Sequence, residues 1–396
     1  MELRRFRKGD LEALGPLMAL AFGDDIAPAE RYFDPERNPR LDLDQVFVIE
    51  DDGQVCASAT TLPLRMAVDG EHVPMGGVAA VATHPAYRRR GYAGELMRAV
   101  LDHMRAQEIH LSLLDPFAHS FYRIFGWELA MESLEYTFKP SELPTSPEQK
   151  RIRVYRSEDM PRMMDLLEGE SSRHSCSVRR SEGRWRQLLE GGNTEFKDLR
   201  AVVYEKEDEV SGYLLYEQSG REGATPSPRL TVHETVARTP EARASLLSFA
   251  GAYDPDDFQV RYETSRGEPL HPYLESSFVD ARIEPGMMLR LVNVEGALGM
   301  RGREISAPLV LEVADDVIPE NAGLYTVEYG GVVRGTEAGD RVSLDVRQLA
   351  QLYAGYLPAR QLARHGLIKP HSERALELLE EMFPTGDPWV FPLDRF

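Results

Sequence analysis

The amino-acid sequence predicts an α/β (α+β) chain in which two copies of one α/β unit are followed by a smaller α+β unit. Three observations lead to this fold class: a strand, loop and helix pattern near residue 90, a faint internal repeat, and a change of pattern after residue 286. A chain of 396 residues is too long for one compact core, and 42% apolar residues is typical of a globular protein.

The first observation is the stretch VAAVATHPAYRRRGYAGELMRAVL, at residues 78–101. Residues 78–81 form a short apolar run of the kind that a buried strand shows, and Pro85 ends it. From Gly94 onward, apolar side chains recur at the spacing of a helix that faces a core; they are Leu96, Met97, Val100, Leu101 and Met104. The stretch therefore predicts strand, loop and helix.

The loop between that strand and helix combines three arginines with the small residues Gly91, Ala93 and Gly94. The first N–H groups of a helix have no intrahelical partner, and the helix dipole favours an anion beside them. Small residues let a ligand approach the backbone, so a pyrophosphate would fit here. The alternative is an ordinary solvated helix start with a basic face.

The internal repeat is the second observation. LRRFRKGDL (residues 3–11) resembles IRVYRSEDM (residues 152–160), since each reads as a strand followed by a helix with an aspartate near its start. The hairpin-like stretches that begin at Gln45 and Leu199 also resemble each other. The second copy has Pro240, Glu241 and Ala242 in place of the small-residue turn, which predicts that it binds no phosphate ligand.

The third observation concerns boundaries. KPSELPTSPEQK (residues 139–150) is rich in proline, serine and charge, as expected for a linker. After Met287, strands in APLVLEVAD and GLYTVEYGGVVRG and helices in DVRQLAQLYAGYL and SERALELLEEMF indicate a different, smaller unit. We therefore expect domains at residues 1–145, 146–286 and 287–396.

Composition excludes several classes of protein. A net charge of −19 argues against nucleic acid as the main partner and is compatible with cationic ligands. The sequence has no apolar run of eighteen residues and no signal-peptide core, so no membrane association is expected. Cys56 and Cys176 are too few for a disulfide framework or a zinc site, which predicts a cytoplasmic protein without a metal.

Together, these residues resemble a known family. The strand, the R-x-x-G-x-A/G loop at Arg88 and the helix resemble the acetyl-CoA signature of GNAT N-acetyltransferases, and FAHSFYRIFGWE (residues 117–128) is similar to the aromatic segment that follows it. Two tandem units of this kind with a terminal unit similar to a sterol carrier protein resemble the Eis-type (enhanced intracellular survival) acetyltransferases.

The resemblance implies acetyl-CoA as co-substrate and assigns residues to it. Backbone groups of Val81, Ala82 and Thr83 would bond the acetyl and pantetheine portion. Arginine's planar fork suits phosphate, and small residues let the backbone approach it. The remaining residues implied at the co-substrate are Arg88, Arg89, Arg90, Gly91, Tyr92, Ala93, Gly94 and Phe117.

The resemblance also implies two catalytic groups and no metal. Tyr122 would protonate the leaving thiolate, since a phenol of pKa ~10 keeps its proton at neutral pH beside a thiol of pKa ~8.5. The terminal carboxylate of Phe396 would act as the base, through a water, because its pKa of ~3.5 is far below that of an alkylammonium. The apolar residues of DPWVFPLDRF make docking of the tail credible. Phe125 and Trp127 are expected to be core aromatics.

The acceptor implied by the resemblance is an amino group of an aminoglycoside, a polyamine or a lysine side chain, attacking acetyl-CoA directly in a ternary complex. Asp24, Asp25 and Asp394 are the acidic residues expected to bind such a cation. The resemblance further implies a homohexamer. The alternative function is a noncatalytic acetyl-CoA-binding sensor or interaction protein, which would need neither Tyr122 nor the terminal carboxylate.

Overall fold

The computed structural model describes residues 1–23, 30–191, 196, 198–219, 229–253, 259–276, 279–328, 331–335 and 339–396. Its internal contacts define two compact units. Unit 1 comprises Met1–Met131, Gly286–Pro388 and Phe396, and unit 2 comprises Glu132–Pro285 and Trp389–Arg395. Within these described ranges, no helix combines the length and the apolar character needed to span a membrane.

The secondary structure alternates strands and helices along most of the chain. The strands are β1 (Glu2–Arg5), β2 (Val46–Asp51), β3 (Gln54–Val68), β4 (Glu71–Thr83), β5 (Leu111–Leu114), β6 (Glu128–Leu129), β7 (Glu132–Phe138), β8 (Ile152–Val154), β9 (Arg200–Lys206), β10 (Glu209–Ser219), β11 (Arg229–Ala237), β12 (Gln259–Ser265), β13 (Asp280–Pro285), β14 (Met288–Leu291), β15 (Leu309–Ala314), β16 (Gly323–Glu328), β17 (Gly331–Arg334), β18 (Asp340–Asp345) and β19 (Ile368–Pro370). The helices are α1 (Leu11–Phe22), α2 (Tyr92–Ala106), α3 (His119–Arg123), α4 (Met160–Ser171), α5 (Glu182–Leu189), α6 (Pro240–Gly251), α7 (Val294–Gly299), α8 (Val346–Ala354), α9 (Ala359–Arg364) and α10 (Glu373–Met382).

The predicted internal repeat is confirmed by matching side-chain contacts. In unit 1, the Arg4 guanidinium donates to both carboxylate oxygens of Asp10 at 2.8 Å, and Asp10 also accepts the backbone N–H of Arg7. In unit 2, Arg153 donates to both oxygens of Asp159 at 2.7 Å. Each pair fixes the turn between the first strand of a copy and its first helix, so both copies start with the same structure.

Each copy contributes to a seven-stranded sheet. The first has the order β1-β2-β3-β4-β5-β14-β6, and the second has the order β13-β7-β12-β11-β10-β9-β8. In each sheet one central pair is parallel, β4 with β5 and β11 with β12. These pairs are the equivalent positions of the two copies, as the repeat requires.

Two strands do not join the sheet of the copy that they adjoin in the sequence. β7 follows the first copy in the sequence but pairs with β12 and β13 in unit 2. β14 follows the second copy but pairs with β5 and β6 in unit 1. Each sheet therefore includes a strand that the internal repeat did not predict for it. The domain boundaries at residues 145 and 286 stay predictions.

The predicted third unit also forms. Its sheet has the order β17-β16-β15-β18-β19, with β15 and β18 parallel. The two predicted helical stretches fold as α8 and α10, each with a buried apolar face. This sheet belongs to unit 1, and α8 packs against β14 of the first sheet. Residues 286–388 are thus part of the same compact unit as the first copy, whereas Trp389–Arg395 belong to unit 2.

Candidate active site

Strand β4 has an open edge where the sequence predicts the co-substrate. It pairs with β5 only at Gly76, Gly77 and Val78, although β4 itself continues to Thr83. β5 itself ends at Leu114, opposite Val78, so residues 79–83 of β4 extend beyond it and their backbone on that side is not part of the ladder between the two strands. Exposed N–H and C=O groups of this kind can bond an extended ligand.

A β-bulge in β4 marks the start of this segment that is not paired with β5. The pairing of β4 with β3 shifts between Thr60, opposite Ala79, and Ser58, opposite Ala82. Ala80 has a φ of 52°, a left-handed conformation that is costly for a residue with a side chain. Bulges re-aim a strand and are frequent beside functional sites, and this one redirects the backbone just before Val81.

The loop after β4 leads directly into the first turn of α2. Gly91 is the N-cap residue with a φ of 88°, and the first helical bond runs from the Glu95 N–H to the Gly91 carbonyl. Arg89 also has a left-handed φ, 64°. The first-turn amides of α2 have no intrahelical acceptor and point out of the helix start, so the predicted anion-binding geometry is present.

One of the three loop arginines is engaged in a local network. Arg90 lies over the Tyr87 ring at 4.7 Å and contacts the Asp51 carboxylate at 3.3 Å. Tyr92 donates its hydroxyl proton to Asp51 at 2.6 Å, and this hydrogen bond lowers the pKa of Asp51. The network fixes the loop on β2. Within the described part of the chain, no ion pair is seen for the exposed Arg88 and Arg89.

The open edge, the loop and the first turn of α2 enclose a cleft of about 600 Å³. Of the predicted co-substrate residues, those that line it are Val81, Thr83, Arg88, Arg89, Gly91, Tyr92, Ala93, Gly94 and Phe117. Ala82 and Arg90 are not among the lining residues, although the backbone of Ala82 lies between two that are.

Four further residues line the cleft and were not predicted from the sequence: Ala21, Phe22, Tyr87 and Phe121. Phe121 lies in the aromatic segment, and Tyr87 directly precedes the arginines. Their closeness in sequence to predicted site residues could have indicated that they line the cleft. Phe22 ends α1 and is 51% exposed. Nothing in the local pattern placed α1 beside the loop.

Tyr122 lies just behind the cleft. Its ring is 3% exposed and packs edge-on against Phe117 and Phe121, with ring centroids 5.2 and 5.0 Å away. Burial raises the pKa of Tyr122 far above its usual value, and the negative charge of Asp115 adds to the shift. The phenol therefore keeps its proton throughout the neutral range. Phe125 and Trp127 lie in the core beside it, as predicted.

The terminal residue lies on the first sheet. A Cβ built on Gly77 of β4 would come within 2.7 and 2.8 Å of two ring atoms of Phe396, so the ring lies directly against this glycine. Gly77 pairs with Leu113 next to the point where β4 and β5 separate. Phe396 therefore packs on the same strand whose end lines the cleft.

The residues that precede Phe396 are anchored in unit 2. Trp389, Phe391 and Leu393 are buried in its core, which confirms the predicted docking of the tail. Asp394 is 3% exposed and accepts two hydrogen bonds from Arg180, at 2.8 and 2.9 Å. A cationic acceptor would have to compete with Arg180 for this carboxylate. The other predicted acidic residues, Asp24 and Asp25, lie outside the described residues.

Arg395 is also held in unit 2. Its guanidinium contacts Glu263 at 2.5 Å and lies over the Trp389 ring at 5.5 Å. The charge next to the terminal residue is thus paired.

No group of three metal-ligating side chains was found among the residues that the structure describes. The absence of a metal stays a prediction.

The equivalent region of the second copy differs in its helix start. β11 pairs with β12 only as far as Val232 but continues to Ala237, so this strand also extends beyond its parallel pairing. Helix α6, however, starts at Pro240, which has no N–H, and the Thr239 side chain accepts the Ala242 N–H at 3.2 Å. Two first-turn donors are thereby lost, which accords with the prediction that this copy binds no phosphate.

Family models match three parts of the chain. Two are described as acetyltransferase (GNAT) domains and match residues 2–130 and 176–291, and the third is described as a sterol carrier protein domain and matches residues 294–391. An uncharacterised N-acetyltransferase of Streptomyces coelicolor is 27% identical over 98% of each chain.

Solved structures have the same architecture over the whole chain. A GCN5-related N-acetyltransferase from Kribbella flavida is 25% identical, with a TM-score of 0.82 over 100% of this chain and 98% of that one. Eis1 from Mycobacterium abscessus is 22% identical, with a TM-score of 0.80 over 100% of both chains. The protein is an acetyltransferase of the GNAT superfamily, with the Eis-type arrangement of two GNAT domains followed by a sterol carrier protein domain.

Proposed function

We propose that this acetyltransferase transfers the acetyl group of acetyl-CoA to an amino group of a cationic acceptor by direct attack in a ternary complex. The observation that carries the proposal is the cleft in which the open edge of β4 meets the first turn of α2, with Tyr122 behind its aromatic wall. The acceptor class is an aminoglycoside, a polyamine or a lysine side chain. A net charge of −19 favours a cation.

The residues of the cleft fit the parts of acetyl-CoA. The first-turn amides of α2 and the arginines Arg88 and Arg89 suit the pyrophosphate, and Gly91, Ala93 and Gly94 leave room for it. The backbone of Val81, Ala82 and Thr83 suits the amides of the pantetheine arm. The bound co-substrate supplies a thioester, whose carbonyl carbon is the electrophile.

The reaction needs a neutral amine and a protonated leaving thiolate. The amine nitrogen forms a bond to the thioester carbonyl carbon, and the carbon–sulfur bond breaks. Tyr122 is proposed as the donor of a proton to the sulfur, and its buried phenol holds that proton at neutral pH. The Phe396 carboxylate is proposed to accept the amine's proton through a water, because the two pKa values are far apart. A cytoplasmic location and a homohexamer remain proposals.

Direct attack is tested by incubating the enzyme with acetyl-CoA in the absence of an amine. We expect no acetylated enzyme by intact-protein mass spectrometry, and we expect intersecting lines in initial-rate plots against both substrates. An acetylated side chain that forms and then disappears when amine is added would instead show a covalent intermediate, with its ping-pong kinetics.

Replacing Gly91 with valine should weaken acetyl-CoA binding. A Cβ built on Gly91 meets no atom within 4 Å, so a new side chain would project into open space at the start of α2. The φ of 88° is also costly for a β-branched residue. We expect at least a tenfold higher Kd by calorimetry with folding retained, and an unchanged Kd would remove this loop from the site. Gly70→Val, at a turn with a φ of 86° remote from the cleft residues, controls for the strain alone.

Replacing Gly77 with alanine should impair turnover by moving the terminal residue. The new methyl group would overlap the Phe396 ring and also lie 2.9 Å from the Leu64 side chain. We expect kcat to fall at least tenfold while the Kd of acetyl-CoA changes little. Gly299→Ala is the control, because a Cβ there meets no atom within 4 Å. Wild-type turnover in the Gly77 variant would show that the position of Phe396 is unimportant.

A further inference from the structure

A buried ion pair joins the first sheet to the carboxy-terminal sheet within unit 1. Arg290 of β14 is fully buried and donates from Nη2 to Asp315 Oδ2 at 2.6 Å. The other oxygen of Asp315 accepts the backbone N–H groups of Val317 and Ile318, at 3.1 and 3.0 Å. Burial lowers the pKa of Arg290, and Asp315 opposes that shift. The arginine therefore depends on this carboxylate.

The guanidinium of Arg290 lies against the turn that follows the donor tyrosine. A Cβ built on Gly126 would be 2.7 Å from Cζ and Nη1 of Arg290, and Gly126 has a φ of 83°. In the same turn, the backbone N–H groups of Phe125 and Trp127 both donate to the Tyr122 carbonyl, at 2.9 and 3.3 Å. Arg290 thus packs on the glycine of a turn that is bonded to Tyr122.

Helix α8 adds two contacts to the same segment. Arg347 donates from Nη1 to the carbonyl of Arg123 at 3.4 Å, and Gln351 donates from Nε2 to the carbonyl of Leu129 at 3.2 Å. Ile318, held by Asp315, is buried in the apolar cluster that contains Tyr122, Phe125 and Trp127. The carboxy-terminal sheet region therefore contacts residues 122–129 through polar groups at both ends and through apolar packing in the middle.

We propose that the sterol-carrier-like unit positions Tyr122 for proton donation, and that Asp315 does so by holding Arg290 against Gly126. The inference deepens the proposed function and rests on it, because it matters only if Tyr122 is the donor. Arg290 and Asp315 are therefore positioning residues. They act through the turn at Gly126 and not on the reacting atoms. The third unit would then have a role in positioning Tyr122, in addition to preceding the terminal carboxylate in the chain.

The test compares two ways of removing the pair. Asp315→Asn leaves Arg290 buried without a counter-charge and is expected to destabilise the fold. The double variant Arg290→Met with Asp315→Asn removes both charges and keeps a side-chain oxygen that can accept the N–H groups of Val317 and Ile318, so it is expected to fold. We expect the folded double variant to lose at least tenfold in kcat, with KM for acetyl-CoA within twofold of the wild type.

The matched control is Glu320→Gln. Glu320 also lies in the segment that follows β15, and its ion pair with Arg105 of α2 is 3.2 Å long and exposed. The structure shows no hydrogen bond from its side chain to the described residues 122–129. We expect wild-type kcat and thermal stability for this variant. The comparison shows whether a loss of kcat is specific to contacts with the Tyr122 segment or follows from the loss of any ion pair between this region and the first copy.

A double-mutant cycle with Tyr122→Phe distinguishes positioning from a merely structural role. If the pair acts through Tyr122, the paired variant should cause no further loss of kcat in the Tyr122→Phe background. Equal losses in both backgrounds, or unchanged kcat in the paired variant, would overturn the inference. If the paired variant did not fold, Gln351→Met would replace it in the cycle, with a smaller expected loss. Unchanged kcat in Tyr122→Phe alone would instead refute the donor assignment in the proposed function.

Discussion

An enzyme extended by a few residues beyond Phe396 is expected to lose a factor of about 10²–10⁴ in turnover, the usual contribution of a general base. The extension converts the terminal carboxylate into a neutral amide and adds a peptide beside the Phe396 ring. Folding should survive, because Trp389, Phe391 and Leu393 remain buried and Asp394 keeps Arg180. Thermal unfolding and the Kd of acetyl-CoA should both stay close to those of the wild type.

Deleting Phe396 alone is the matched control for the extension. The deletion retains a terminal carboxylate but retracts it by up to about 3.5 Å, the reach of one residue. We expect a loss of turnover here as well, since the carboxylate no longer stands where the Phe396 ring meets Gly77. An extended enzyme, shown to be intact by mass spectrometry, that acetylates amines at the wild-type rate would exclude the terminal base.

Tyr122→Phe is expected to reduce kcat by about 10²–10⁴ with little change in the Kd of acetyl-CoA, because only the protonation of the leaving group is lost. The ring stays in place, and its packing against Phe117 and Phe121 needs no hydroxyl. Tyr204→Phe is the control: this equally buried tyrosine lies in the second copy, and its turnover should match the wild type. Unchanged kcat in Tyr122→Phe would make Tyr122 a core aromatic.

The pH dependence follows from the direction of the Tyr122 pKa. Burial raises this pKa above its ordinary value, and the phenol is active only in its protonated form. The proton is therefore present below the raised pKa and is lost only above it, so Tyr122 should cause no decline of kcat between pH 7 and about 10. A decline in that range in the wild-type enzyme that disappears in Tyr122→Phe would contradict the effect of burial.

The local parts of the fold could be predicted from sequence because their signals are local. The apolar stripe of α2 is buried at Leu96, Met97, Val100, Leu101 and Met104, and the small residues of the loop line the cleft as expected. The repeat was visible because both copies begin with a strand followed by a helix that has an aspartate near its start. These features depend on neighbours within one or two turns of the chain.

The features that sequence analysis missed depend on distant partners. Nothing within β7 or β14 shows which sheet the strand joins. Substrate binding by Asp394 stays a prediction, but its partner Arg180 is 214 residues away and could not be recognised from local sequence. The unpaired end of β4 depends likewise on where β5 ends, and the packing of Arg290 on Gly126 has no local signature. Long-range pairing therefore limits what residue patterns alone can establish.

The most direct test of acetyl transfer to a cationic amine is a thiol-release assay with acetyl-CoA against a panel of polyamines, aminoglycosides and lysine peptides, run beside calorimetry with acetyl-CoA alone. We predict that at least one cationic amine stimulates thiol release, with the amine recovered as its N-acetyl product and the signal reduced in Tyr122→Phe and in the carboxy-terminally extended enzyme. Tight acetyl-CoA binding with no thiol release across the whole panel would contradict transfer to a cationic amine and would favour a protein that only binds acetyl-CoA.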